Sequence, residues 1–380
     1  MGEKKIKKII IVGGGYAGVS LLHKLKGISN LELVLIDKSQ KHLLQTHIHK
    51  FLSGHYTKED ITFNHEKFCN KNGIKFLCDE VTTINYKDNY IVTRENIIEH
   101  YDYLVIATGA VSIFPKQISN ILEHTKDIKN IDNIDYYRNK FQKILHSNPK
   151  NQNIVIVGGG VSGVQIACEY AYNIKKEGLD QTNIKVTIIE GMDSILPGMD
   201  PFLITKTKNR CHELGIEIIN NYFASKIFED KIILSNEQIV PYDMLIFVIG
   251  ASGNLILNNN EDIEKNQRNQ LIVDQFYRIN KYKNVFAIGD IVQAMDIKED
   301  KVQAPTAQAS RMQAELTAKN ILNDINNIEL IPNNISIKGI LIDLGGPNCA
   351  IGKLFGINIS GKIALWMKKL IYALHSKKFN

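Results

Sequence analysis

One strand-and-turn occurs twice in this chain, as IIIVGGGYAG over residues 9–18 and IVIVGGGVSG over residues 154–163. In each copy an apolar run suits a strand buried on both faces of a parallel sheet. Glycines then follow in G-x-G-x-x-G spacing: Gly13, Gly15 and Gly18 in the first copy, Gly158, Gly160 and Gly163 in the second. The first glycine permits a tight turn, the second lets the backbone approach a pyrophosphate, and the third lets the next helix pack closely with its N-terminus toward the phosphates.

The repetition extends beyond the turns. A second apolar strand, LELVLID, ends in Asp37, and its counterpart, KVTIIE, ends in Glu190. An acid about 20 residues past the turn can take the hydroxyls of an adenosine ribose. Glu190 comes later than that, and a longer loop around Lys175 to Thr182 absorbs the difference. A carboxylate there repels a 2′-phosphate, so the second unit should prefer NADH to NADPH. The units close alike, with YDYLVIATGA (101–110) and YDMLIFVIGA (242–251). The pattern predicts an α/β chain with two complete Rossmann-like dinucleotide-binding domains, and two dinucleotides in one chain invite a redox relay.

Composition narrows the rest. With 380 residues, 44% apolar and 23% charged, the chain can bury real cores. A net charge of +6 gives no argument for a nucleic-acid partner. Cys69, Cys78, Cys168, Cys211 and Cys349 show no CxxC or zinc spacing, so reduced thiols and no metal site are expected. The N-terminus lacks a signal peptide's apolar region, and no run approaches the roughly 18 apolar residues of a membrane span.

A late strand, NVFAIGD (284–290), ends in Gly289 and Asp290. With it the chain resembles the two-dinucleotide-binding-domain flavoproteins of the pyridine nucleotide-disulfide oxidoreductase superfamily. The resemblance implies that Gly13, Gly15, Gly18 and Asp37 hold the ADP half of FAD, that Thr108 and Gly109 close over it, and that Asp290 takes the flavin ribitol. The unit from Gly158 to Gly250 would bind NADH, its nicotinamide passing a hydride to the flavin. The implied organisation is an FAD-binding domain (1–115 and 281–335), an inserted NAD-binding domain (116–280) and a C-terminal membrane-association segment (336–380).

Disulfide reductases of this superfamily carry a C-x4-C pair beside the flavin. The corresponding stretch, SQKHLLQTHIHKFLSGH, has no cysteine, so electrons would pass directly to an acceptor. The segment APTAQASRMQAELTAKNI (304–321) is similar to that of the type II NADH:quinone oxidoreductases, with Ala307, Gln308, Ala309 and Gln313 in pattern and Ser310, Met312 and Ala314 departing from it. It would border a quinone pocket or only cap the flavin's pyrimidine edge, and both readings stay open. Gln45 and Thr46 are further candidates for the acceptor pocket. Where that family usually has GVE, this chain has GVQ with Gln165, and Glu169 one turn later is a candidate for electrostatic compensation. His42, His47, His49 and His55 match no metal motif and read as hydrogen-bonding surface histidines.

The tail reads as an amphipathic helix. Ile363, Trp366, Met367, Leu370, Ile371 and Leu374 share one sector, Leu365 breaks the pattern, and Lys362, Lys368, Lys369, Tyr372 and Ser376 lie opposite. A tryptophan on the apolar stripe and a basic face across from it suit an interfacial helix on anionic lipid, placing the protein peripherally on the cytoplasmic side of the membrane. A homodimer is compatible with the sequence. Two other readings remain: a sulfide:quinone oxidoreductase-like enzyme, which shares the EDI segment at Glu59 to Ile61, and a slow NADH-sensing flavoprotein of the apoptosis-inducing-factor type.

Overall fold

The computed structural model describes residues 5–115, 117–118, 121–254, 263–296 and 301–376, with side chains up to residue 373. Two parallel sheets carry the two glycine turns. In the first, Lys7–Val12 lies between Leu31–Asp37 and Tyr103–Ile106, and Lys75–Cys78 pairs outside Leu31–Asp37. In the second, Gln152–Val157 lies between Ile184–Glu190 and Met244–Phe247, with Glu217–Asn220 outside Ile184–Glu190. The strand order is the same, so the duplicated sequence has folded into duplicated units. Both central strands bury their apolar runs, with Ile9, Ile10, Ile11, Ile154, Val155 and Ile156 fully inaccessible, at about 1.5–3 kcal/mol for each side chain of this size.

The first sheet has a fifth strand. Val285–Ala287 pairs in parallel with Tyr103–Ile106 at its edge, although the whole second unit intervenes in sequence. The second unit is thus an insertion into the first, and this strand delivers Gly289 and Asp290 to the first glycine turn. Just past the matching strands Tyr103–Ile106 and Met244–Phe247, the chain pairs with its own repeat: Ala110–Ser112 runs antiparallel to Ala251–Gly253.

Beyond the long helix Ala307–Ile325 comes a three-stranded antiparallel sheet, Gly339–Asp343, Ala350–Leu354 and Ile357–Ser360, followed by the helix Gly361–Ser376. That tail helix differs from the sequence expectation. Its docking line is Ala364, Lys368 and Tyr372, residues one turn apart, and Lys368 is only 5% exposed. Lys368 and Tyr372 therefore do not belong to a solvated basic face: the Lys368 ammonium pairs with buried Asp343 at 2.8 Å, and the Tyr372 ring lies 3.9 Å from that of His47. The opposite face is open, with Ile363 and Trp366 about two-thirds exposed, Leu370 and Ile371 also exposed, and Lys362 and Lys369 beside them. The Leu374 and Ser376 side chains lie outside the described residues. Among described residues no helix is long and apolar enough to cross a membrane.

Candidate functional site

The two turns share the backbone geometry of their outer glycines. Gly13 and Gly158 have φ of +106° and +116°, a region that favours glycine. A β-carbon at Gly18 would lie 1.9 Å from the Gly13 carbonyl oxygen, and one at Gly163 equally close to that of Gly158. At Gly15 and Gly160 a β-carbon would meet nothing within 4 Å: the space beside the helix N-terminus is left open, as an approaching pyrophosphate requires. Those two glycines N-cap the helices Tyr16–Leu25 and Val161–Lys176 with no side-chain cap, so the first-turn N–H groups are left for a ligand.

The strand-end acids brace these turns. Asp37 accepts from the Gly14 N–H at 2.6 Å and the Ser39 N–H at 2.7 Å. Glu190 accepts from the Gly159 N–H at 2.7 Å and the Met192 N–H at 2.9 Å. Burial nevertheless raises the Asp37 carboxyl above its ordinary pKa.

Three further segments converge on the first turn. A β-carbon on Gly13 would strike the Ala107 carbonyl at 2.4 Å, which sets Thr108 and Gly109 against the cradle. The Thr108 hydroxyl oxygen is buried and has no partner among the described residues, the condition of a group that awaits a ligand. Gly289 sits 3.1 Å from Ala17 by the same test, and burial raises the Asp290 carboxyl, with Ser310 Oγ 3.5 Å away. The donors and the open space fit a dinucleotide. Gly250 lies at the paired crossover, its carbonyl accepting from Ile113 N–H at 3.2 Å.

The acceptor candidates are dispersed. Gln313 is buried and accepts from the Gly289 N–H at 2.7 Å while donating to Gln303 at 2.9 Å, so its carboxamide fixes the Gly289–Asp290 turn. Gln308, half-buried with Ala307 at the helix start, turns its amide to the backbone of Lys338 and Gly339. Gln45 is exposed. Thr46 shares a 2.7 Å hydrogen bond with the Tyr16 hydroxyl and accepts from Tyr372 at its carbonyl at 3.4 Å. Tyr16, the first residue of the helix that follows the first glycine turn, thus holds Thr46 beside that turn.

Gln165 and Glu169 stand in a buried polar cluster that no sequence motif announced. Asp343 accepts from His49 Nε2 at 2.9 Å and from Lys368 Nζ at 2.8 Å. The Gln165 oxygen accepts from the same Nζ at 2.9 Å and from the Asp343 N–H at 3.3 Å. One turn on, Glu169 is fully buried and pairs with Lys50 and, at 3.0 Å, with His55. Burial works to raise both carboxyls, but His49 and Lys368 at Asp343, and His55 and Lys50 at Glu169, outweigh it and hold them below the usual range. The histidine expectation is corrected here: His42, His47 and His49 are buried and only His55 is exposed. Burial pushes His42 down to about 4 and His47 to about 3.

The sequence pattern of the pyridine nucleotide-disulphide oxidoreductases matches residues 7–314, from the first strand into the Ala307–Ile325 helix. The chain belongs to that family. Within it, this oxidoreductase is 29% identical to the type II NADH:quinone oxidoreductase of Staphylococcus aureus strain NCTC 8325, over 96% of this chain and 94% of that one. NDH2 from Plasmodium falciparum, solved in complex with NADH, superposes with a TM-score of 0.85 at 21% identity, covering 99% of this oxidoreductase and 97% of that chain. The sulfide:quinone oxidoreductase from Aquifex aeolicus follows at 0.83 and 22%, covering 98% and 91%. At those identities the structural likenesses establish the fold.

Proposed function

We propose that this oxidoreductase is an FAD-dependent NADH dehydrogenase that delivers electrons to a quinone, without a redox-active disulfide, from a peripheral position on the membrane surface. The observation that carries the proposal is the pair of glycine-turn cradles of matching backbone geometry in one chain, with Gly289 and Asp290 brought to the first of them. When bound, FAD supplies the two-electron chemistry, accepting a hydride from NADH and passing electrons on. The chain's own part is binding and orientation. The first turn, Asp37, Thr108, Gly109 and Asp290 would hold FAD, and the second turn with Glu190 would hold NADH.

Glu190 supports NADH over NADPH, since two backbone N–H groups fix its carboxylate where a 2′-phosphate would have to sit. The full-length similarity to curated type II enzymes supports the quinone, and Thr46, bonded to Tyr16 at the first turn, marks where an acceptor would approach. The open Ile363, Trp366, Leu370 and Ile371 face, next to Lys362 and Lys369, supports docking on anionic lipid. Phe355 and Ile357, at the turn of the preceding hairpin, are exposed as well. The test is steady-state NADH oxidation by purified protein with a short-chain quinone. Turnover with ferricyanide but none with the quinone would remove the quinone from the assignment.

A further inference from the structure

The two units agree on how the N–H of the middle glycine is held, by Asp37 in one and Glu190 in the other. They part at its carbonyl. Gly159 O accepts from the backbone N–H of Leu196 at 2.8 Å. Gly14 O instead faces His42 Nδ1 at 2.9 Å. A carbonyl oxygen brings no proton, so Nδ1 is the donor, and in the neutral ring the tautomer is fixed as Nδ1–H.

The surroundings hold this imidazole in place. His42 is buried on the short strand Lys41–Leu43, in register with Phe63 of Thr62–Asn64. The Tyr16 ring meets it edge-on at 5.0 Å. His65 backs the same turn, since a β-carbon on Gly14 would come within 2.4 Å of its ring. In the second unit the loop after Glu190 folds back and offers a main-chain donor. After Asp37 the chain enters the strand Lys41–Leu43, and a side chain spans the gap.

We propose that His42 is a positioning residue for the flavin dinucleotide: its Nδ1–H bond to the Gly14 carbonyl sets the turn whose N–H groups face the pyrophosphate, a role that backbone Leu196 performs in the second unit. This rests on the assignment of FAD to the first unit. Asparagine places its amide nitrogen where Nδ1 lies, whereas glutamine reaches toward the Nε2 position and leucine offers no donor.

The experiment titrates FAD by fluorescence into full-length apoprotein of wild type, His42→Asn, His42→Gln and His42→Leu, with NADH affinity measured on the same samples to report an intact second unit. His42→Asn is expected to bind FAD within about threefold of wild type, and the other two to bind at least roughly tenfold more weakly, with NADH affinity unchanged. FAD affinity of His42→Leu or His42→Gln equal to wild type would overturn the proposal. So would His42→Asn no tighter than His42→Leu, or a parallel loss of NADH affinity. Wild-type apoprotein that takes up no flavin would overturn the FAD assignment, and this proposal with it; the other outcomes touch His42 alone.

Discussion

A β-carbon on Gly18 or Gly163 would lie 1.9 Å from a carbonyl oxygen of its own turn, a distance no relaxation of a side chain can relieve. Each substitution should damage one cradle and spare the other. Gly18→Ala is expected to lower flavin content at least roughly tenfold while leaving NADH binding within about twofold, and Gly163→Ala to do the reverse; bound flavin after gel filtration and calorimetric NADH titration measure the two. A second residue-scale consequence concerns His42, His47 and His65, which burial pushes down to about 4, 3 and 4. The unfolded chain takes up these protons below about pH 6.5, whereas the folded chain refuses them until about pH 3–4. Stability should therefore fall as pH drops from 6.5 toward 4, by roughly 1.4 kcal/mol per pH unit for each histidine. Urea midpoints at pH 7, 5.5 and 4.5 should decline in that order, and a flat profile would refute the buried neutral state.

At the scale of elements, the tail helix is fastened by a buried ion pair set between packed Ala364 and Tyr372. Removing one partner leaves the other charge buried, so Asp343→Asn or Lys368→Met alone should cost about 3–5 kcal/mol, while Asp343→Leu combined with Lys368→Met should cost far less. Limited proteolysis after Gly361 would show it, through rapid tail release in the single variants and protection in the double. The outward face makes a separate prediction. Trp366 is the only tryptophan of the chain, so its emission reports the tail directly. A blue shift is expected with anionic vesicles and little with neutral ones, reduced by salt and absent in Leu370→Ser combined with Ile371→Ser. Equal shifts on both vesicle types would remove Lys362 and Lys369 from the account.

In the whole molecule, the two units meet where Ala110–Ser112 pairs with Ala251–Gly253. Each unit carries its own cradle, and this joint fixes their relative position together with contacts such as the pairing of Lys50 and His55 with Glu169 and the bond from Asn173 to the Ser53 carbonyl. Val111→Pro removes a backbone donor from the joint. Both dinucleotides should still bind, while NADH-dependent flavin bleaching in stopped flow slows by up to about 100-fold, since a displacement of 1 Å between reacting groups can cost that much. The glycine turns, their acids and the order of strands around them were legible in the sequence because dihedral demands and apolar periodicity are local properties, repeated here in two copies. The same holds for the tail as an amphipathic helix. Which way that helix faces was not legible, because Lys368 reads as solvated until Asp343, His49 and Gln165 are folded around it. Nor was the burial of His42, whose donor meets a carbonyl 28 positions away. Spacing along a chain records which backbone shapes are affordable. The partners that compensate a buried charge or imidazole come from distant segments, and only the tertiary structure decides which ones arrive.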